Sequence, residues 1–260
     1  MSQQLRSLPL AEAALACGHL SDTLSTAFFF GYQCAVRRLD PVLENDQFAA
    51  FAASEKGIRS SRDFETSVSQ RGEGQIVCGT KSHVMLLERG LLDSVYVLAN
   101  NQDSQLVCLK VLTSDEGFTP QNSTKQQAFL KDVPHTPVVF DHCTCEPDYY
   151  LADAHQRAFK PFRYWEDVMV SLSYAGWLIR TLSDSHLKSM LANSASALIE
   201  SYHESPDYFS QSSLSLIDKL GTEMKLASKE LPSSFRQEWQ QDSALLMLGA
   251  VAREKVKARL

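Results

Sequence analysis

The chain has 260 residues, of which 44% are apolar, 22% charged and 9% aromatic, a balance that suits a folded globular protein and not a disordered one. Its formal net charge of −6 supplies no basic field for a phosphate backbone, so nucleic acid is excluded as the expected partner. No apolar run reaches the length of a membrane span, and MSQQLRSLPLAEAALACGHL lacks a basic start with a cleavable apolar core; the expectation is a soluble, cytoplasmic protein.

Residues 9–39 read as helical. Leu24, Ala27, Phe28, Gly31, Tyr32, Ala35, Val36 and Leu39 recur at helical spacing and make one apolar face. Asp22 is the predicted N-cap and Pro41 the stop signal. The run Phe28-Phe29-Phe30-Gly31-Tyr32 has two readings, a cofactor-facing box or a core face, and aromatics on a helical face are expected in the core.

Residues 46–150 are β-rich. Gly72-Glu73-Gly74 reads as a turn, and strands are predicted at Val84–Leu87, Ser94–Ala99, Leu106–Leu112 and Val138–Asp141. Loop signals stand at Asn100-Asn101 and Thr119-Pro120-Gln121-Asn122. Short β-branched runs punctuated by glycine turns predict antiparallel strands in a small barrel or sandwich.

Six cysteines are scattered without the spacing of a disulfide framework. Cys17, Cys34, Cys78 and Cys108 have apolar neighbours and read as small hydrophobes. His135 and His142-Cys143-Thr144-Cys145 offer metal donors, but zinc sites space their cysteines more widely and no second pair follows. A plain loop-and-strand pair is expected there, with no metal.

From Phe159 the period changes to 3.6. One predicted helix carries Trp165, Val168, Met169, Leu172, Ala175, Gly176 and Ile179, a second runs from Leu187 to Tyr202, and a third from Leu214 to Ala227. A fourth starts near Pro232 and carries Phe235, Trp239, Leu245, Leu246, Gly249, Ala252 and Val256. The short connections suit an antiparallel four-helix bundle. The predicted class is therefore α+β: a partial N-terminal helical segment (1–45), a central antiparallel β-barrel or sandwich (46–152), and a C-terminal helical bundle (153–260).

Within Ala50–Ala99 the loops follow a definite order. Ala53-Ser54-Glu55 is followed by Gly57 and Ser60, then Thr66, then Gly79-Thr80-Lys81-Ser82 leading into His83-Val84-Met85, and finally a strand ending in Leu98-Ala99. In this order the residues resemble the central β-domain of the flavin-dependent acyl-CoA dehydrogenases, and the helix–barrel–helix layout resembles that family over nearly the whole chain. The resemblance implies FAD as cofactor, an acyl-CoA or other acyl thioester as substrate, a role in fatty acid metabolism, and a homodimer or larger homo-oligomer. It also implies that the first loop lies against flavin and thioester and that the Gly-x-Lys strand packs beside the isoalloxazine ring. The cofactor-binding positions that it marks are Ala53, Ser54, Ser60, His83, Val84 and Met85. His83 stands where the family has an aromatic residue, and Met85 where it has a hydroxyl.

The resemblance places Arg163 where the family opens a helix with an arginine that reaches the FAD phosphates of a neighbouring subunit, a task suited to an always-charged bidentate donor. A second reading has Arg163 neutralising Glu166 or Asp167 one turn away. Dehydrogenation at the alpha–beta bond needs a carboxylate base with a raised pKa in a dry pocket. The family takes that base from a loop that this chain, ending at Leu260, is expected not to reach, or from the residue before the arginine, here Phe162. Glu166 projects from a face similar to that of Phe162, one turn deeper. It is the candidate base, set against its reading as a surface or salt-bridged glutamate. The alternative function is a catalytically degenerate relative, acting as a non-enzymatic subunit or an acyl-thioester binding module. Lys81 reads as a strand-end lysine, since Gly79-Thr80-Lys81-Ser82 lacks the frame of a phosphate-binding loop.

Overall fold

The structure, a computed structural model, describes residues 7–72, 74–85, 90–121 and 129–258. Glu73 of the predicted turn, Leu86 and Leu87 of the predicted strand, and Asn122 of the predicted loop lie outside the described residues, as do the side chains of Leu245 and Ala252. The chain divides into two compact units. A helical unit takes in the chain up to Pro41, a stretch around Leu130, and everything from Phe162; a barrel unit takes in the intervening residues.

The barrel unit contains β1 (Ala49–Ala52), β2 (Ser67–Arg71), β3 (Gly74–Met85), β4 (Ser94–Asn100), β5 (Leu106–Leu112), β6 (Phe118–Pro120) and β7 (His135–Leu151). Hydrogen bonding runs β4–β2–β3–β7–β5 and returns from β5 to β4, so the sheet closes into a barrel, with β1 added at β4 and β6 at β7. Closure satisfies backbone groups that an open edge would expose. At the β2–β3 hairpin Arg71 faces Gly74, and Gly72 takes φ +61°, the left-handed conformation that a two-residue hairpin loop favours. Every residue of β4 from Ser94 to Ala99 is buried, and the core continues through Val107, Cys108, Leu109 and Val111 of β5.

Two expectations about the sheet are corrected. The pairing is not purely antiparallel: β1 runs parallel to β4, and β2 meets β4 in a parallel bridge at Ser67 and Asn100. The long chain between β1 and β4 provides the crossover that parallel neighbours require. The strand predicted at Val138–Asp141 is also much longer, with 17 residues in β7. Its alternation is hidden in the sequence by irregularities: His142 sits at φ +57°, and the register against β5 jumps between Leu109 and Val111. Pro147 falls inside that jump, where a ladder N–H is not needed.

The helical unit is built from α1 (Leu10–Leu20), α2 (Leu24–Leu39), α3 (from Lys160 to Thr181), α4 (Ser185–Glu204), α5 (Gln211–Ala227), α6 (Ser233–Asp242) and α7 (Ala244–Lys257). The helical stretch at 9–39 breaks into two helices, and the N-cap of α2 is Thr23, not Asp22. The Thr23 hydroxyl accepts the Thr26 N–H at 3.1 Å, while Asp22 is drawn away by Arg180, 3.1 Å distant. The predicted fourth C-terminal helix is likewise two helices, parted at Ser243. There the Asp242 carbonyl accepts the Tyr174 hydroxyl at 3.3 Å. Its carboxylate accepts the Ser25 hydroxyl and the Leu130 N–H, each at 2.7 Å. Phe28, Phe29 and Tyr32 lie in the core, as their helical face predicts.

Helix α1 crosses α3 at very close range through reciprocal glycines. A Cβ on Gly18 would stand 1.8 Å from the Ser173 carbonyl oxygen, and one on Gly176 would stand 2.1 Å from that of Leu15. Both obstacles are backbone, so the helices themselves would have to separate. Gly18→Ala and Gly176→Ala are each expected to cost on the order of 2 kcal/mol or more. Gly221→Ala in α5 meets nothing within 4 Å and is expected to be neutral or slightly stabilising. Thermal melts that fail to separate Gly18→Ala from Gly221→Ala would contradict this packing.

Candidate functional site

One rim of the barrel unit gathers three of the residues marked by sequence or their neighbours. Lys81 pairs with Val138 and Val84 with Thr136, so Ser82 and His83 form a bulge on β3, a device that re-aims side chains. The Ser82 N–H donates to the Ser54 carbonyl at 2.9 Å and the Ser82 hydroxyl to the same oxygen at 3.1 Å. The His83 Nδ1 lies 2.9 Å from the Ser82 hydroxyl and 3.4 Å from that of Ser54. Ser54 and His83 are exposed, and Ala53 and Ser82 half-buried. Behind this edge His135, next to Met85 in the ladder, has its pKa lowered to about 4 by burial and by neighbouring His83.

Other marked residues stand elsewhere. Val84 and Met85 are 1% and 3% exposed, and as neighbours in one strand their side chains are buried on opposite faces of the sheet. Ser60 is exposed and caps the short 3-10 turn Ser61–Asp63 by accepting the Arg62 N–H at 3.3 Å. The thiols of Cys143 and Cys145 are pushed up to about 12 by burial and by the nearby Asp115 carboxylate, which opposes the thiolate that a metal would need.

Directly beneath the rim lies a buried ion pair that the sequence reading missed. Lys81, expected as a strand-end lysine, is fully buried with its Nζ 2.6 Å from Glu55 Oε1. It also lies 4.0 Å from the centre of the Phe64 ring. The Glu55 carboxylate accepts the N–H groups of Glu65 and Thr66 at 2.8 and 3.3 Å. Burial lowers the Lys81 pKa to about 8 against the opposing pull of Glu55. Burial alone would raise that of Glu55, but Lys81 and the amide donors hold it below the usual range. Strand parity held a signal: Lys81 is in step with buried Val77 on β3, so a lysine there calls for a buried partner.

On the helical unit, Arg163 and Glu166 open α3. The first turns of this helix are fixed by Tyr164, which donates to the Ser205 carbonyl at 3.1 Å, and by Trp165, which donates to that of Pro206 at 2.7 Å. Phe162 is buried with its ring 5.4 Å from that of Tyr32. Arg163 is exposed and Glu166 half-buried. The Glu166 carboxyl is raised to about 7, first by burial and then by the Asp167 charge, with Arg163 opposing. Asp167 itself bonds to Arg253 at 2.8 Å, and Arg253 to Asp218 at 2.9 Å. Gly249 leaves room for that pair, since a Cβ there would lie 2.6 Å from the Asp167 Oδ1.

The helical unit also holds a polar cleft of about 310 Å³ lined by Thr23, Ser25, Lys131, Asp132, Glu238 and Asp242 among others. Two of its carboxylates are already engaged, Glu238 with the Leu24 N–H and Asp242 with Ser25 and Leu130. At the rim of the barrel two hydroxyls and one imidazole, bonded to one another, form a polar set that fits the heteroatom-bearing edge of a flat ring system such as a flavin.

No protein-family model matches the chain, and no curated protein matches it. Solved structures do. FkbI, for biosynthesis of the methoxymalonyl extender unit of the Fk520 polyketide immunosuppressant, superposes with a TM-score of 0.71 at 12% identity, covering all of this chain and 88% of FkbI. Apo-form PigA gives 0.68 at 14% identity over all of this chain and 84% of its own; the FAD complex of PigA gives 0.61 at 14% over 97% and 79%. Butyryl-CoA dehydrogenase from Megasphaera elsdenii gives 0.61 at 10% identity over 93% of this chain and 80% of that one. The chain has the acyl-CoA dehydrogenase fold. Among the described residues no helix is long and apolar enough to cross a membrane.

The raised Glu166 carboxyl fixes a pH dependence. Between about 4.5 and about 7 the folded chain keeps a proton that the unfolded chain has released, so this group's contribution to stability falls as pH rises through that window. Glu166→Gln removes the effect. The variant is expected to melt with the wild type at pH 4 and above it at pH 8, by on the order of 1 kcal/mol after allowance for solvent. Parallel melting curves at both pH values would contradict the assignment.

Proposed function

We infer, for a chain with the acyl-CoA dehydrogenase fold, that it is a flavoprotein which oxidises an acyl thioester at the alpha–beta bond, with FAD as its cofactor. The observation that carries this reading is the exposed edge of Ser54, Ser82 and His83, hydrogen-bonded to one another on the bulge of β3. Similarity to a fold that holds FAD in PigA supports the choice of cofactor. When bound, the flavin supplies the two-electron acceptor for hydride. The hydroxyls of Ser54 and Ser82 would hold its polar edge, with the His83 ring beside them, while buried Val84 and Met85 continue β3 beyond the edge.

The proton is assigned to Glu166. A carboxyl with a pKa near 7 is half ionised at neutral pH, the condition under which a general base combines availability with basicity. Arg163, exposed at the start of α3, offers a guanidinium suited to phosphate. A homodimer or larger assembly in the cytoplasm completes the reading.

A second reading is favoured by Phe162. The residue before Arg163 is an aromatic ring packed on Tyr32, without a carboxylate, as would suit a non-enzymatic subunit or thioester-binding module. The two readings separate in one preparation. The purified protein is expected to be yellow, to release FAD by mass, to have a light-scattering mass at least twice 29.0 kDa, and to lose its flavin absorbance on addition of an acyl-CoA. Glu166→Gln is expected to keep the colour and to slow that bleaching by about a hundred-fold or more. Flavin that no acyl-CoA bleaches supports the binding module; colourless protein that takes up no added FAD refutes the flavoprotein.

A further inference from the structure

The buried Glu55–Lys81 pair and the exposed Ser54–Ser82–His83 edge are consecutive residues of the same two chain segments. Ser54 precedes Glu55 in the turn after β1, and Ser82 follows Lys81 at the bulge of β3. The two segments are thus fastened twice at adjacent positions. Inside, Lys81 Nζ meets Glu55 Oε1 at 2.6 Å; outside, the Ser82 N–H meets the Ser54 carbonyl at 2.9 Å. Glu55 is further held by the Glu65 and Thr66 N–H groups, so the turn after β1 cannot rotate without breaking charge-assisted bonds in a buried setting. The ammonium is enclosed on its remaining side by the Phe64 ring. A bulge has no ladder register of its own to hold it. The inner pair supplies that register.

We propose that Glu55 and Lys81 are positioning residues whose ion pair fixes the turn after β1 against the β3 bulge, and through them the hydroxyls and imidazole that face a bound flavin. The flavin part of this proposal rests on the function inferred above; the ordering of His83 does not. The pair touches no ligand and acts only through the two serines and the histidine. It therefore differs from an ion pair that merely stabilises the barrel, and the difference can be measured.

The test compares wild type with Glu55→Gln, Lys81→Met and the double variant, all in the full chain, with folding checked by circular dichroism. Each single variant strands a buried charged or polar group and is expected to be destabilised, whereas the double variant removes both charges and recovers much of the loss. Two further readouts separate positioning from stability: the ratio of His83 ring tautomers, from ring nitrogen shifts without flavin, and the affinity and absorption band shape of added FAD. Positioning predicts that the double variant, though stable again, keeps a tautomer ratio changed at least about two-fold and an FAD affinity lowered about ten-fold or more. A stable double variant with wild-type His83 tautomers and wild-type FAD affinity overturns the proposal and leaves the flavin reading standing. Altered tautomers in a protein that takes up no FAD in any form sustain the positioning role and overturn the flavin reading instead.

Discussion

The barrel unit depends on one expensive contact. Removing an ammonium and a carboxylate from water costs several kcal/mol per ion, and mutual attraction repays it only when geometry is good and remaining lone pairs are satisfied. Glu55 and Lys81 meet that condition: the carboxylate accepts from one ammonium and two amide groups, and the ammonium rests on an aromatic face. Three successive segments, the turn after β1, the entry to β2 and the body of β3, therefore converge at one point. The alternation that buries Lys81 and the bulge that follows it turn Ser82 and His83 outward. The candidate ligand edge is thus a consequence of what is buried behind it.

The helical unit is organised on a different principle. Its closest crossing uses the absence of side chains, with Gly18 and Gly176 letting the backbones of α1 and α3 approach closely. Ser173 adds a 2.7 Å bond to the Ala27 carbonyl. Around this crossing the polar groups are clamps: Asp242 gathers Ser25, Leu130 and Tyr174, and Arg253 gathers Asp167 and Asp218. Asp167 is paired with Arg253, whereas the charge of Glu166 beside it is opposed by burial and by Asp167 and favoured by Arg163.

Periodicity made much of this legible. Leu106–Leu112 coincides with β5, and Ser94–Ala99 falls one residue short of β4, because short apolar runs bounded by loop signals declare themselves. The apolar stripes of α3, α4 and α5 were equally plain. What stayed hidden was long-range. The breaks at Ser21–Thr23 and Ser243 depend on Arg180 and on Tyr174 with Leu130, distant in sequence. The full extent of β7 is masked by bulges and prolines, and the parallel placing of β1 against β4 leaves no local trace. The candidate site was legible in part: the ordered loops located Ser54 and His83, whereas the burial of Val84 and Met85 follows a bulge that alternation does not reveal. Glu55 and Lys81 were visible as members of the motif, but not as partners of each other.

The central claim is that the rim above the Glu55–Lys81 pair receives a flavin, and a crystal structure of the protein grown with FAD tests it most directly. The account predicts isoalloxazine density within hydrogen-bonding distance of Ser54, Ser82 or His83, with the ion pair intact beneath. Flavin density confined to another place, such as the cleft lined by Thr23, Glu238 and Asp242, or a rim that stays free of flavin at saturating FAD, would contradict it.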